Sequence, residues 1–521
     1  MANLIKGSFI ILIGNILFRI GGYLYRMLMQ FLLGVEGYGI LSVVLPVQWI
    51  LILIAAAGLP PAIAKYVSEY KAQNNFYMVK KIIFVSAKIM LCMSIIFSVS
   101  LYFFAPYLVD LLNADPNTTI LFQMVALITP FSILLGLFRG VFQGYQEMTY
   151  ILITRAAEQI FMISLAVILT LAGLYVLGAV IGSILGFAAS AVVAFLIFKK
   201  EMWENLQNIK IPSIPVNDVK IAKKLIFFSF PIILAGLSEL ALFDTSTMII
   251  KIFMDNYAVG YYNIASPVAR LPLVISTSVS VAILPAASEA LAIKGNNLLK
   301  KYVIQSYRYL LLVLLPICIV IMLFSEPLLN ILFPKAPLAY LFVKNVLTIL
   351  IIGMGFYSIY GISSSISQGV GKPYPPMIFL VIGGIINLGL TFYLVPRYGL
   401  NGAAISTTVS AFFIMILCTY TTLRITKVKL PYFKLFKIII ASLLLGLILI
   451  IMPKSTFGLI FASILTPFIY LIILAFINGL ENQDLIIINK VGLKIKPFTK
   501  FFIKFSQFLK KINELINQKD H

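Results

Sequence analysis

Apolar residues in this chain come in blocks of roughly 20, the length that spans a bilayer core, separated by short polar stretches. Fourteen such blocks predict fourteen membrane helices: 8–33, 39–63, 83–109, 119–142, 150–171, 174–198, 222–252, 258–287, 304–325, 338–366, 374–395, 400–423, 434–452 and 457–479. The fold class expected is an all-α polytopic membrane protein. The first block runs well past signal-peptide length and is followed by more, so it is read as a retained first helix.

The polar stretches alternate in charge. Lys65, Lys71, Lys80 and Lys81 lie between the second and third helices, and Lys199, Lys200, Lys210, Lys220, Lys223 and Lys224 between the sixth and seventh. Lys294, Lys300, Lys301 and Arg308 follow the eighth, and Arg424, Lys427, Lys429, Lys434 and Lys437 the twelfth. The alternate loops are nearly bare, with Asp110 and Asp115 in one and single cations at Lys335, Arg397 and Lys454 in others. The positive-inside rule then puts both termini in the cytoplasm, with the chain in the cytoplasmic (plasma) membrane. After residue 480, KPFTKFFIKFSQFLKKINELI sets Phe501, Phe505, Phe508 and Ile512 on one helical face among lysines. That is the pattern of an amphipathic helix on an anionic leaflet.

The pattern also repeats. VEGYGILSVVLPVQ (35–48) aligns with NYAVGYYNIASPVA (256–269), Gly39 falling on Gly260 and Pro46 on Pro267, and VSEY (67–70) answers ASEA (287–290). This predicts a parallel repeat, a recognised transporter plan. The expected organisation is an N-terminal six-helix lobe (1–200), a cytoplasmic linker (201–221), a C-terminal six-helix lobe (222–424), two added helices (425–480) and a basic amphipathic tail (481–521).

Composition narrows the function. The chain of 521 residues is 61% hydrophobic and 11% charged, with net charge +22. The cations fall between apolar blocks, so they are read as topology-setting rather than as a nucleic-acid surface. The only histidine is His521, which removes His-based catalysis and His metal sites. Cys92, Cys318 and Cys418 are odd in number and far apart, so no disulfide framework is expected. No phosphate-cradling Walker loop or metal spacing occurs, and the chain is not expected to be an enzyme or to hold a cofactor.

Charges inside the apolar blocks carry the chemistry, because burying one is expensive. Arg19 and Arg26 share a face of the first helix, seven residues apart with Gly21 and Gly22 between them, where a helix can bend. Arg270 stands in the eighth helix between Pro267 and Pro272. Three guanidiniums facing one cavity would bind a diphosphate bidentately; the alternative is snorkelling, or pairing with a carboxylate such as Glu36. Glu239 and Asp244 are five apart and so point to different faces; each is a coupling or gating candidate or half of a structural ion pair. Lys251 and Arg270 are partners open to Asp244. Arg139, Arg155 and Glu158 read as a cytoplasmic gate or helix-end network, in which Arg155 and Glu158, three apart, can pair locally. Lys372 is read as a turn residue.

FRIGGYLYRMLMQFLLGVEGYGILSVVLPV (18–47), FRGVFQGYQEMTYILITRAAEQIF (138–161), SQGVGKPYPPM (367–377) and NLGLTFYLVPRYGLNGAAISTTVS (387–410) resemble one family over about the first 425 residues. It is the polysaccharide-transport branch of the multidrug/oligosaccharidyl-lipid/polysaccharide exporter superfamily, with stage V sporulation protein B-like oligosaccharide flippases nearest and lipid II flippases more distant. The resemblance implies two six-helix lobes around a cavity and a cargo of lipid-linked saccharide on polyprenyl (di)phosphate. It also implies a diphosphate-binding role for Arg19, Arg26 and Arg270, since lipid II flippases use arginines in the first and eighth helices. Those relatives carry a further arginine in the second helix where this chain has Gln48 and Trp49, which counts against lipid II itself as the cargo.

The expected function is therefore export of a lipid-linked oligosaccharide by alternating access, for surface polysaccharide, glycan or peptidoglycan synthesis. Its partners are that substrate and membrane lipids, with no nucleic acid, and a monomer suffices. The drive is membrane potential, or proton or sodium exchange through Asp244 or Glu239. The rivals are a cation-coupled multidrug exporter of the same fold, a membrane glycosyltransferase, which would need catalytic groups by a large external loop, and a non-transporting envelope or spore assembly scaffold.

Overall fold

The computed structural model of the protein describes residues 2–203, 206, 217–292, 296–336, 339–481, 483–486, 489 and 499–517. Side chains of residues 2–17, 19, 292, 296, 339, 340, 500 and 513–517 fall outside that description. So do Lys294, most of the expected linker (204–205 and 207–216) and much of the tail, His521 included.

The described chain is helical, without strands, and 11 of its helical runs are long and apolar enough to cross a membrane. Three of them, Ile20–Ala72, Met148–Trp203 and Tyr374–Thr426, exceed fifty residues. Each is divided by a glycine of positive φ: Gly34 (71°), Gly173 (95°) and Gly399 (55°). Each therefore makes two passes, which accounts for the fourteen expected. Glycine is needed at these joints because a Cβ disfavours that backbone region. Gly21 and Gly22 do not bend the first helix, contrary to expectation. Gly21 instead makes room for a neighbouring helix: a Cβ there would lie 3.0 Å from Gln159 Cδ. The second pass also differs, running 35–55, then a turn with Ala57 and Gly58 at positive φ, then Leu59–Ala72.

The chain divides into two compact units, one of 1–264, 333–336 and 380–407, the other of 265–332, 337–379 and 408–521. This cut differs from the expected lobes, because the Asp218–Phe243 helix and residues 380–407 pack into the first unit. Within that unit, Met148–Leu169 and Tyr175–Phe198 form a tight hairpin. Gly178, Gly182 and Gly186, one per turn, face Leu169, Ala166 and Met162, and a Cβ on any of them would clash. Small residues at this spacing let helix backbones approach in lipid, where close packing must supply the attraction.

The second unit is stitched by hydroxyls. Tyr307 bonds Ser363 (2.7 Å), Ser363 bonds Thr419 (2.9 Å) and Ser367 bonds Thr422 (2.7 Å). In hydrocarbon these groups must find partners inside the protein. The added helices Tyr432–Ile450 and Thr456–Phe476 build a core through Leu445, Leu449, Ala462 and Leu474. The tail helix Thr499–Asn517 packs on it, with Leu509 and Ile512 buried and Phe505 5.4 Å from the Phe468 ring. Its packed face is rotated from the expected one: Phe508 is exposed, and Leu509 takes its place.

Candidate functional site

The site in the first unit forms around a broken helix. Asp218–Phe243 and Thr245–Phe253 would be continuous but for Asp244, whose φ of −113° interrupts them. Neither glycine nor proline causes this break. The side-chain amide of Asn387 donates to the carbonyls of Ala241 (2.9 Å) and Leu242 (3.1 Å), and Thr245 Oγ1 donates to Ala241 O (2.7 Å). Carbonyls released from the helix ladder thus have side-chain donors, which a membrane interior requires. Asn387 is fully buried, and its Oδ1 has no hydrogen-bond partner.

Arg26 faces this break. Its guanidinium hydrogen-bonds the Tyr38 hydroxyl and lies in the field of the Asp244 carboxylate. Tyr38, fully buried, donates in turn to Asn263 O (3.2 Å), and the Asn263 amide donates to Thr247 Oγ1 (3.2 Å) and Val259 O (3.0 Å). The chain Arg26–Tyr38–Asn263–Thr247 joins both passes of the first hairpin to the helices on either side of Met254. A cation is thereby fixed in a water-poor place with one carboxylate near it. Arg26 itself is half-buried, so the guanidinium is held but reachable.

The remaining expected residues lie as follows. The Arg19 side chain is outside the described residues. Arg270, half-buried, belongs to the second unit, at the break between Asn256–Ala269 and Leu273–Ala292, where its N–H reaches back to Ser266 O and Pro267 O. Glu239 is exposed, so it and Asp244 occupy different surroundings. Lys251, open as a partner for Asp244, is buried and faces the charges of Asp255 and Asp115 instead. Arg139 donates to Glu158 (2.7 Å) and to Thr154 Oγ1 (3.1 Å), and Glu158 is 2% exposed. Arg155 lies in the field of both Arg139 and Glu158, with its guanidinium 5.4 Å from the Phe18 ring.

Sequence reasoning missed Arg308. Read as a loop cation, it sits on the Asn296–Leu323 helix and is 2% exposed. It makes two bonds to Asp484, one of 2.7 Å to Oδ1, and donates to Gly479 O (3.1 Å). Glu481 stands 3.8 Å away and also takes Lys434 (3.0 Å). The available signal was the pair of acids Glu481 and Asp484 inside an otherwise basic stretch. Among the described residues no group of acidic, Cys or His side chains could hold a metal ion.

The family described as Polysaccharide biosynthesis protein matches residues 4–291, more than half of the chain, and MatE matches residues 231–393. An uncharacterized membrane protein of Methanocaldococcus jannaschii is 28% identical over 445 residues, 82% of this chain and 99% of its own length. Stage V sporulation protein B of Bacillus subtilis is 24% identical over 449 residues, 82% of this chain and 85% of its own. The structure of a lipid II flippase in an inward closed conformation superposes with a TM-score of 0.71 at 18% identity, covering 90% of this chain and 98% of that one. At that identity the likeness is one of fold.

Proposed function

The chain belongs to the polysaccharide biosynthesis protein family, and from that premise we propose that it flips a polyprenyl-(di)phosphate-linked oligosaccharide across the cytoplasmic membrane, with no covalent step. Both termini lie in the cytoplasm, and one copy of the chain suffices. A lipid-linked saccharide cargo is supported by the family's description, Polysaccharide biosynthesis protein, and by a Bacillus subtilis relative named a lipid II flippase, 23% identical over 435 residues.

The observation that carries the reading is Arg26, a guanidinium set among apolar helices, oriented by Tyr38 and facing Asp244. A diphosphate can replace Asp244 as its counter-ion, and a guanidinium matches phosphate oxygens bidentately. Arg19 shares this role, and Arg270 is a further candidate for binding the diphosphate. Asp244 is then the stand-in anion that keeps Arg26 compensated when no cargo is present. Its release on cargo binding is the coupling event, which a proton or sodium ion can use; Glu239 is the lesser candidate. Arg139, Arg155 and Glu158 form a structural network at the cytoplasmic end. Outward movement of an anion gains about 2.3 kcal/mol per charge per 100 mV of inside-negative potential, so potential alone can set the direction.

The test is flipping in proteoliposomes. The purified chain is reconstituted with a fluorescent polyprenyl-diphosphate oligosaccharide, and probe accessibility is followed for wild type, Arg26→Ala and Arg26→Lys. Loss of transport in the alanine variant, with folding intact and partial rescue by lysine, supports the reading. No transport by wild type, with export of cationic drugs instead, favours the multidrug exporter; no transport of either favours an assembly scaffold.

A further inference from the structure

A cavity of about 480 Å³ lies at one end of the first unit, Arg26 is not among the residues that line it, and no role described so far uses it. Five helix ends build it. Asn74 (φ 54°) and Gln146 (φ 65°) turn the chain sharply between consecutive helices. Lys71, Phe76, Tyr145 and Tyr150 are thereby gathered from Leu59–Ala72, Phe76–Leu111, the turn after Ile128–Gly144, and Met148–Leu169. Glu147 lines it from the same turn, and Glu201 from the last turn of the sixth pass.

The charges are unequal. Lys71 Nζ donates to Tyr145 O (3.2 Å) and rests 4.5 Å from the Tyr145 ring centroid. Two carboxylates oppose this single amine. Glu201 takes the Tyr150 hydroxyl, with the exposed Lys200 3.8 Å away. Glu147 is exposed, and its side chain has no bond among the described residues. The Tyr145 hydroxyl is buried without a hydrogen-bond partner. Burial holds that phenol above its ordinary pKa, so it remains a donor.

Acids with three aromatic rings suit an organic ammonium, which gains from both carboxylate and ring faces. Lys71 and the free Tyr145 hydroxyl suit an anion attached to it. The volume fits a small-molecule group. Depth in the membrane argues for a lipid as its source: Trp203, next to Met202 in the wall, packs on Phe84 (6.0 Å) and Phe198 (6.1 Å) and lies under Lys80. A tryptophan beside lysine at the end of apolar helices marks the headgroup level.

We propose that this cavity binds the aminoalkyl-phosphate headgroup of an ethanolamine phospholipid, with the ammonium at Glu147 and Glu201 and the phosphate at Lys71 and Tyr145. The site is separate from the transport reading and does not rest on it.

The experiment uses the full chain in detergent with added lipid, read by native mass spectrometry. Wild type is expected to retain phosphatidylethanolamine at least tenfold over phosphatidylglycerol, and a Glu147→Gln/Glu201→Gln variant to lose that preference. Tyr145→Phe, which keeps the ring, is expected to weaken retention several-fold and serves if the double variant misfolds. Equal retention of the two lipids, or a preference untouched in the variants, overturns the proposal. Binding of free ethanolamine phosphate, seen as a change in Trp203 emission, without retention of the lipid overturns the lipid source.

Discussion

Gly39 and Gly260, the two glycines aligned by the internal repeat, pack directly against each other. A Cβ built on Gly39 would lie 3.0 Å from Gly260 N and 2.8 Å from Asn256 C. This contact brings the second pass onto the Asn256–Ala269 helix at backbone distance, beside the Tyr38–Asn263 bond. Alanine at either position should push these helices apart by an ångström or more, because backbone atoms cannot yield as a side-chain tip can. Gly39→Ala and Gly260→Ala are each expected to reduce flipping at least tenfold with expression retained. Unchanged flipping in both variants would show that this close approach is not needed for the proposed transport.

Asp244 and cargo compete for Arg26 in the proposed cycle. Asp244→Asn removes the competitor while keeping the side chain's shape. Headgroup affinity should rise by roughly tenfold, the worth of one charge-assisted hydrogen bond, while turnover falls because release is slowed. Titration of the purified protein with a short-chain prenyl diphosphate, alongside initial flipping rates, reads both. Weaker binding in the variant would remove Asp244 from the exchange.

Arg308→Ala leaves Asp484, 6% exposed, as a buried charge without its partner. Breaking such a pair costs about 3–5 kcal/mol. A fall in thermal unfolding temperature is expected, with the second unit affected first. Arg308→Lys should recover only part of it, since an ammonium cannot reproduce the two-pronged contact and the bond to Gly479 O together.

Arg139 and Glu158 allow the same question to be asked as a cycle. Arg139→Ala removes the bonded cation from a carboxylate that is 2% exposed, leaving it in the field of Arg155. Arg139→Ala/Glu158→Gln is therefore expected to be more stable than Arg139→Ala alone, by about 1–3 kcal/mol of coupling. A double variant that is simply the sum of its parts would mean that the contact contributes little.

The spans were legible because a bilayer leaves its thickness in the sequence: apolar blocks of one length, closed by polar loops. The joints were less so. Gly34 rather than Gly21 and Gly22 divides the first hairpin, and glycine alone does not distinguish a turn from close packing. The break at Asp244 left no local mark, because its cause, Asn387, comes from 145 residues away. Arg308 misled for a related reason. A cation near a basic loop reads as topology until the acid that pairs with it, 176 residues on, is seen to fold back. Charges on one helix were recognised by spacing; the partners that satisfy them come from other helices, which spacing does not encode.

The Arg308–Asp484 contact also sets a clock on biosynthesis. At about 5–20 residues per second, the 176 residues between the two take roughly 10–35 s to emerge. Throughout that interval a guanidinium waits in an apolar setting for an acid not yet made. A ribosome that stalls between the end of the Thr456–Phe476 helix and Asp484, or a message cut short there, delivers a chain with its apolar helices made and Arg308 without its Asp484 partner. Such a product carries its own sign of incompleteness, one that a membrane protease can act on before the defective chain accumulates.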